Sequence, residues 1–136
     1  DLSEIARDVV EKFQRRSGRN IQLASSGNSI RYVQGSGIDR AVSNLIDNAI
    51  KFSPENSKVM VSVVDGRVSV RDFGIGIDDK YGPRLFDRFF RSVEARDLPG
   101  SGLGLSIVQE IIKAHGGEVF VDEPEDGVGT IVGFSI

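Results

Sequence analysis

Cysteine and tryptophan are absent from the 136 residues, and histidine occurs once, at position 115. Without cysteine there are no disulfides, no thiol nucleophiles and no zinc–thiolate sites, a composition that fits a cytoplasmic domain. A single histidine excludes a multi-histidine metal centre and any mechanism that needs two imidazoles. No apolar run approaches the roughly 18 residues of a membrane-spanning helix, so no direct membrane contact is expected. No signal-peptide pattern opens the chain. Nor is there a basic excess: 17 Lys and Arg stand against 20 Asp and Glu, a net charge of −3. Nucleic-acid binders carry the opposite imbalance, so no nucleic-acid partner is expected. The start at Asp1 rather than Met predicts a piece excised from a longer protein, and the length predicts one domain. What the chain has in excess is glycine, 16 residues of 136, above the roughly 7% that is typical.

Leu2, Ile5, Ala6, Val9, Val10 and Phe13 recur at the spacing of an amphipathic helix, ended near Ser17-Gly18. Short apolar stretches at residues 20–24 and 30–34 predict strands. A second helix follows, with Ser36 as its N-cap and Asp39 three residues on. Ile38, Ala41, Val42, Leu45, Ile46, Ala49 and Ile50 form its apolar face, and Ser53-Pro54 closes it. Residues 59–64 and 67–72 flank Asp65-Gly66, a strong hairpin signal. A two-residue turn there pairs Val63 with Val68 and Val61 with Val70. Alternation then puts Asp72 on the same face as these valines. Periodicity fails over about residues 78–102, which hold Pro83, Pro99, four arginines and the cluster Phe86, Phe89 and Phe90. A connection that long predicts a functional lid or a disordered segment. An apolar helix over 104–115, stopped by Gly116-Gly117, and a final hairpin of 118–122 with 130–136 complete the pattern.

Asn44, Asp47, Asn48 and Lys51 share the polar face of the second helix. A polar stripe alone reads as a solvated face. Two interior asparagines one turn apart are less ordinary, because their amides compete for the backbone. Amide oxygens suit Mg2+, and a lysine ammonium suits a phosphate. Asp72-Phe73-Gly74-Ile75-Gly76 ends a strand with a carboxylate on its buried face. Such a group needs a donor, which an amino group on a ligand would supply, and Gly74 and Gly76 let a ligand approach the backbone. The Asp-Phe-Gly triplet also occurs in protein kinases, but the catalytic His-Arg-Asp loop they require is missing. Gly100-Ser101-Gly102-Leu103-Gly104 opens a helix, where free N–H groups and the dipole form an anion site. It is neither a Walker A sequence nor a Rossmann fingerprint. His115 reads as a helix-end residue complementing the dipole, and Gly127-Val128-Gly129-Thr130 as a turn into a strand. Together these stretches describe a nucleotide pocket with a buried acid, an asparagine metal shelf, a glycine-rich cradle and an arginine-bearing lid.

In this order the stretches resemble the motif boxes of the GHKL superfamily, and specifically the ATP-binding catalytic domain of sensor histidine kinases. Asn44-Leu45-Ile46-Asp47-Asn48-Ala49-Ile50-Lys51-Phe52-Ser53-Pro54 is similar to the N box. Asp72-Phe73-Gly74-Ile75-Gly76 resembles the first glycine box, Leu85-Phe86-Asp87-Arg88-Phe89-Phe90-Arg91 the F box, and Gly100-Ser101-Gly102-Leu103-Gly104-Leu105-Ser106-Ile107-Val108 the second glycine box. The match spans about residues 36–136. It implies an α+β Bergerat-type sandwich: a mixed, mostly antiparallel sheet with three helices on one face and a long ATP lid over about 78–102. It implies ATP and Mg2+, with Asp72 taking the adenine amino group, Thr130 nearby, Phe52 near the base and Asn48 on the metal. Asn44, a second candidate metal ligand, and Lys51 would lie near the phosphates. Arg88 or Arg91 would reach the γ-phosphate, and Gly100, Ser101, Gly102, Leu103 and Gly104 would cradle the phosphates.

The partner implied is a histidine on a separate dimerisation domain of the same kinase, and beyond it a response regulator. The resemblance further implies the cytoplasmic domain of a membrane-anchored receptor. Two departures shape the reading. The helix that carries the phosphate-accepting histidine is absent. Hydrolysing relatives carry a Glu where this chain has Asn44, and an amide cannot take a proton from water. The alternatives are a free-standing serine kinase of the anti-sigma-factor type, a non-catalytic nucleotide-binding module, and a hydrolysing ATPase.

Overall fold

The computed structural model describes residues 1–54, 57–74, 104–122, 124 and 129–136. Helix α1 (Leu2–Ser17) begins where the Asp1 carboxylate accepts the Ser3 N–H at 2.8 Å, an N-cap of the usual kind. It buries Leu2, Ala6, Val9 and Val10, with Ile5 and Phe13 partly covered. Strand β1 (Ile21–Ser26), helix α2 (Gly35–Phe52) and strand β2 (Val59–Val64) follow, with β1 and β2 parallel. The hairpin of β2 and β3 (Arg67–Asp72) has the register read from the sequence, Val61 opposite Val70 and Val63 opposite Val68. Its turn residues Asp65 and Gly66 have φ of 46° and 83°, the paired positive values that a tight primed turn requires. Helix α3 (Gly104–Ala114) leads to β4 (Glu118–Asp122), which pairs antiparallel with β5 (Thr130–Ser135), itself antiparallel to β3.

Among the described residues, five strands lie in the order β1-β2-β3-β5-β4, a mixed and mostly antiparallel sheet in an α+β fold with three helices. Val59, Val61, Val63, Val68, Val70, Val132 and Phe134 are buried on one face, whereas Met60 and Val64 of the same β2 are exposed. Helix α2 is the centre of the helical layer, packing on α1, α3 and β3. It buries Ile38, Ala41, Val42, Leu45, Ile46 and Ala49, each large aliphatic contributing about 1.5–3 kcal/mol. That burial fixes the rotation of α2 and turns Asn44, Asn48 and Lys51 away from the core. Among the described residues, no helix is long and apolar enough to cross a membrane.

Two local expectations are corrected. Residues 30–34 form no strand. Side chains take up their backbone groups instead: the Ile30 N–H donates to Asn28 Oδ1 at 3.0 Å, and Arg31 donates to the carbonyls of Asn28 and Ile30. The alternating Ile30 and Tyr32 project outward, exposed at 69% and 108%. Nor is Ser36 the N-cap of α2. The cap lies two residues earlier, at an extended Gln34 that makes no side-chain cap bond. The expected lid over 78–102 lies outside the described residues, and with it Gly76, Arg88, Arg91, Gly100, Ser101, Gly102 and Leu103.

Candidate functional site

Two turns of α2 present Asn44, Asp47, Asn48 and Lys51 on one side. The first three are half-buried and Lys51 is exposed. The Lys51 ammonium lies 2.9 Å from Asp47 Oδ2 one turn back, with the acid N-terminal to the base as such pairs prefer. An exposed pair of this kind is worth about 0.3–0.5 kcal/mol, so Lys51 can leave it for a phosphate at little cost. Among the described residues, no group of three or more His, Asp or Glu could hold a metal ion. A divalent cation here would therefore rely on neutral amide oxygens together with oxygens of its own ligand, a donor set that suits Mg2+.

The other half of the site lies at the end of β3. Asp72 is its last residue, and the β3–β5 register sets it opposite Thr130, the first residue of β5. Both are buried, 6% and 5% exposed. The Gly74 N–H donates to Asp72 Oδ1 at 2.9 Å. Burial pushes the Asp72 carboxyl above its ordinary value, partly opposed by the N–H groups of Gly74 and Thr130 and by the Arg71 charge. A carboxylate has about four lone-pair positions, so two backbone donors leave capacity for the amino group of a base. Phe73 follows, its ring flanked by the Arg71 guanidinium at 4.3 Å and the Lys58 ammonium at 5.4 Å. Gly104 opens α3, and that helix packs along α2.

The structure thus brings Asp72, Gly74 and Thr130 together. It sets Asn44, Asn48 and Lys51 on one helix face, with Phe52 at the end of that helix. Three features were not read from the sequence. Gly129, with φ of 78°, packs against the Asp72 backbone, and a Cβ there would collide with the Asp72 carbonyl. Arg19, from the α1–β1 connection, reaches the C-terminal end of α2. His115 joins two helices, with its Nδ1 2.8 Å from the Ile111 carbonyl and the Gln34 N–H donating to its Nε2 at 3.0 Å. Only Gly129 carried a signal, a glycine one residue before a strand and beside a buried acid's partner.

Residues 33–136 match the family described as histidine kinase-, DNA gyrase B-, and HSP90-like ATPase. The signal transduction histidine-protein kinase/phosphatase MprB of Mycobacterium leprae is 39% identical over 134 residues, covering 94% of this chain and 26% of that protein. Sensor histidine kinase WalK of Bacillus subtilis is 41% identical over 107 residues, covering 73% of this chain and 17% of its own length. The chain therefore spans about a quarter or less of these two relatives. Among solved structures, a mycobacterial sensor histidine kinase MprB superposes with a TM-score of 0.82 at 35% identity, over 98% of this chain and 93% of that one. Histidine kinase ThkA in complex with response regulator TrrA superposes with a TM-score of 0.78 at 28% identity, over all of this chain and 40% of that one. The chain belongs to the histidine kinase-, DNA gyrase B- and HSP90-like ATPase family, and its relatives there are sensor histidine kinases of two-component signalling.

Proposed function

We propose that residues 1–136 form a single catalytic domain that binds Mg-ATP and donates its γ-phosphoryl group to a histidine on a separate dimerisation domain. From there the group would pass to an aspartate of a response regulator. The observation that carries this reading is Asp72, a buried acid beside Thr130 and a glycine turn, with spare acceptor capacity. Its carboxylate would accept the adenine amino group. Asn48 and Asn44 would offer amide oxygens to Mg2+, which when bound neutralises phosphate charge. Lys51 would exchange Asp47 for a phosphate oxygen. Phe52 would lie near the base, Gly100, Ser101, Gly102, Leu103 and Gly104 would give backbone N–H groups to the phosphates, and Arg88 and Arg91 would meet the γ-phosphate.

In the transfer itself, a lone pair on a neutral imidazole nitrogen of the acceptor forms a bond to the γ-phosphorus as the bond to the ADP oxygen breaks. This chain's part is to hold and orient the donor and to keep water from competing. Asn44 cannot act as a general base toward water, which favours transfer over hydrolysis. The sensor-kinase relatives weigh toward a histidine acceptor rather than the serine of the anti-sigma-factor type. In the intact protein the domain would sit on the cytoplasmic side of a membrane-anchored receptor. Calorimetric titration with a non-hydrolysable ATP analogue and Mg2+, followed by mixing with ATP and a histidine-bearing dimerisation domain, tests both halves. Absence of binding, or binding with no acid-labile phosphate on the added domain, would overturn the proposal.

A further inference from the structure

Helix α2 lacks the usual closure at its C-terminus. The residue after it, Ser53, is extended with φ −119° and ψ 151°, so no left-handed residue turns the chain back onto the last carbonyls. Those carbonyls need other donors. Ser53 Oγ supplies one, donating to the Ala49 carbonyl at 2.7 Å. Arg19 supplies another, although it lies more than thirty residues away in sequence. Its Nη1 donates to the Ile50 carbonyl at 3.3 Å. Its Nη2 reaches Ser53 Oγ and the Pro54 carbonyl, both at 2.8 Å, and the carbonyl and Oγ of Ser57 at 3.3 and 3.4 Å. Two hydrogens on Nη2 serve four acceptors, so the two 2.8 Å contacts dominate. The Pro54 carbonyl also takes the Ser57 N–H at 3.0 Å. One planar fork thus spans the last turn of α2 and the turn that follows it, and its positive charge complements the helix C-terminus. The fit is not made for the guanidinium's own satisfaction: Arg19 Nε is buried with no hydrogen-bond partner among the described residues.

We infer that Arg19 is a positioning residue for the phosphate and metal end of the nucleotide site, an inference that rests on the proposed function. Fraying of one turn, about 3.6 residues, would run from Phe52 back to Ala49. It would carry Lys51 with it and leave Asn48 at a loose helix end. Asp72 and Thr130 stand on β3 and β5 and are held by the sheet register, so the hydrogen bonds to the base are independent of the fork, and of the residues proposed near the base only Phe52 lies in the frayed turn. Loss of Arg19 therefore acts unequally on the ligand: the phosphate end, served by Lys51 and Asn48, suffers more than the base end, which loses only Phe52.

The test is binding of two probes, adenosine and a Mg2+–ATP analogue, to the parent and to Arg19→Ala, Arg19→Gln and Arg19→Lys. The expected result is a loss of about tenfold in Mg2+–nucleotide affinity, with a clearly smaller loss of adenosine affinity. Lysine keeps the charge but not the fork, so Arg19→Lys should fall with Arg19→Ala. Methylguanidinium added at millimolar concentration to Arg19→Ala should restore part of the loss. Arg19→Gln is shorter and uncharged but keeps a polar amide donor, and serves if Arg19→Ala does not fold. Equal losses for both probes would mean that Arg19 supports only general packing, and an unchanged Mg2+–nucleotide affinity in a folded variant would mean that it does nothing for the site; either result overturns the inference. A parent that binds no nucleotide would instead overturn the functional reading itself.

Discussion

Gly129 packs against the backbone of Asp72, so closely that any Cβ at position 129 would overlap the Asp72 carbonyl. The obstacle is main chain, which cannot rotate aside as a flexible side chain could, and φ at Gly129 is 78°, where an L side chain is strained. Gly129→Ala should push the start of β5 off the end of β3 and pull Thr130 away from the Asp72 carboxylate. We expect a stability loss of about 1–3 kcal/mol, together with weaker binding of adenine nucleotides. Gly66→Ala is the control. It is strained by φ of 83° and crowds Arg31 and the Ile136 carbonyl at the opposite end of β3. It should lower the melting temperature while the folded protein binds as before. Equal effects of the two variants on binding would remove Gly129 from the site.

Asp72 gives the protein a pH dependence of opposite sign to that of an ion-paired carboxylate. Its native pKa is raised above the unfolded value of 3.8, chiefly by burial. The native state keeps the proton at pH values where the unfolded chain has released it, so unfolding releases a proton. The stabilising contribution is complete below 3.8 and is lost as pH rises through the native value. Asp72→Asn cannot titrate. The parent should therefore lose stability relative to the variant as pH rises through that window, as read by urea unfolding at a series of pH values. At neutral pH the variant should bind adenosine about ten- to a hundredfold more weakly, from loss of a charge-assisted bond worth roughly 1.5–3 kcal/mol. A stability difference independent of pH would show that burial does not shift Asp72.

These two sites also mark how far the sequence could be read. The β2–β3 hairpin was legible residue by residue, because an Asp-Gly turn is local and fixes the register that carries Asp72 to the buried face. The apolar faces of α1, α2 and α3 were legible for the same reason, as periodicity is written within each element. Residues 30–34 were misread because alternation says nothing about whether a strand edge is available, and here Arg31 and Asn28 occupy the backbone instead. Ser36 offered a local cap to α2 that goes unused. The cap lies two residues earlier, at a Gln34 whose N–H is satisfied by His115, 81 positions away. The Arg19 fork and the Gly129 contact are likewise long-range: no short motif encodes the fork, and the glycine before β5 marks a turn without naming Asp72 as what it packs against.

The metal half of the site is tested at Asn48. The side chain is half-buried on the polar face of α2, and asparagine is a weaker helix former than alanine by up to about 0.7 kcal/mol. Asn48→Ala should thus hold or raise the melting temperature without ligand. If the amide oxygen is a metal ligand, the same change removes the Mg2+ dependence of tight nucleotide binding. Stability and binding should move in opposite directions, which a packing residue would not produce. Retained Mg2+ dependence in Asn48→Ala would move the metal to other oxygens.

The last prediction concerns the only imidazole. A phosphate acceptor needs a ring nitrogen with an available lone pair next to the donor, and His115 has neither nitrogen available. The Gln34 N–H donates to Nε2, which places the proton on Nδ1, and Nδ1–H then donates to the Ile111 carbonyl. Attack from Nε2 would break the bond that tethers the start of α2 to the end of α3. A phosphoryl group there would add about −1.5 to −2 charges beside a helix C-terminus that already carries a negative partial charge. The chain incubated alone with Mg-ATP should therefore acquire no acid-labile phosphate, and a dimerisation domain with its own histidine, added in trans, should be labelled at a rate that rises with its concentration. His115→Ala should melt earlier, by about 1–3 kcal/mol of lost hydrogen bonding, and its folded fraction should still label the added domain. Labelling of the parent alone, lost in His115→Ala, would make His115 an acceptor and overturn the assignment of the acceptor to a separate domain.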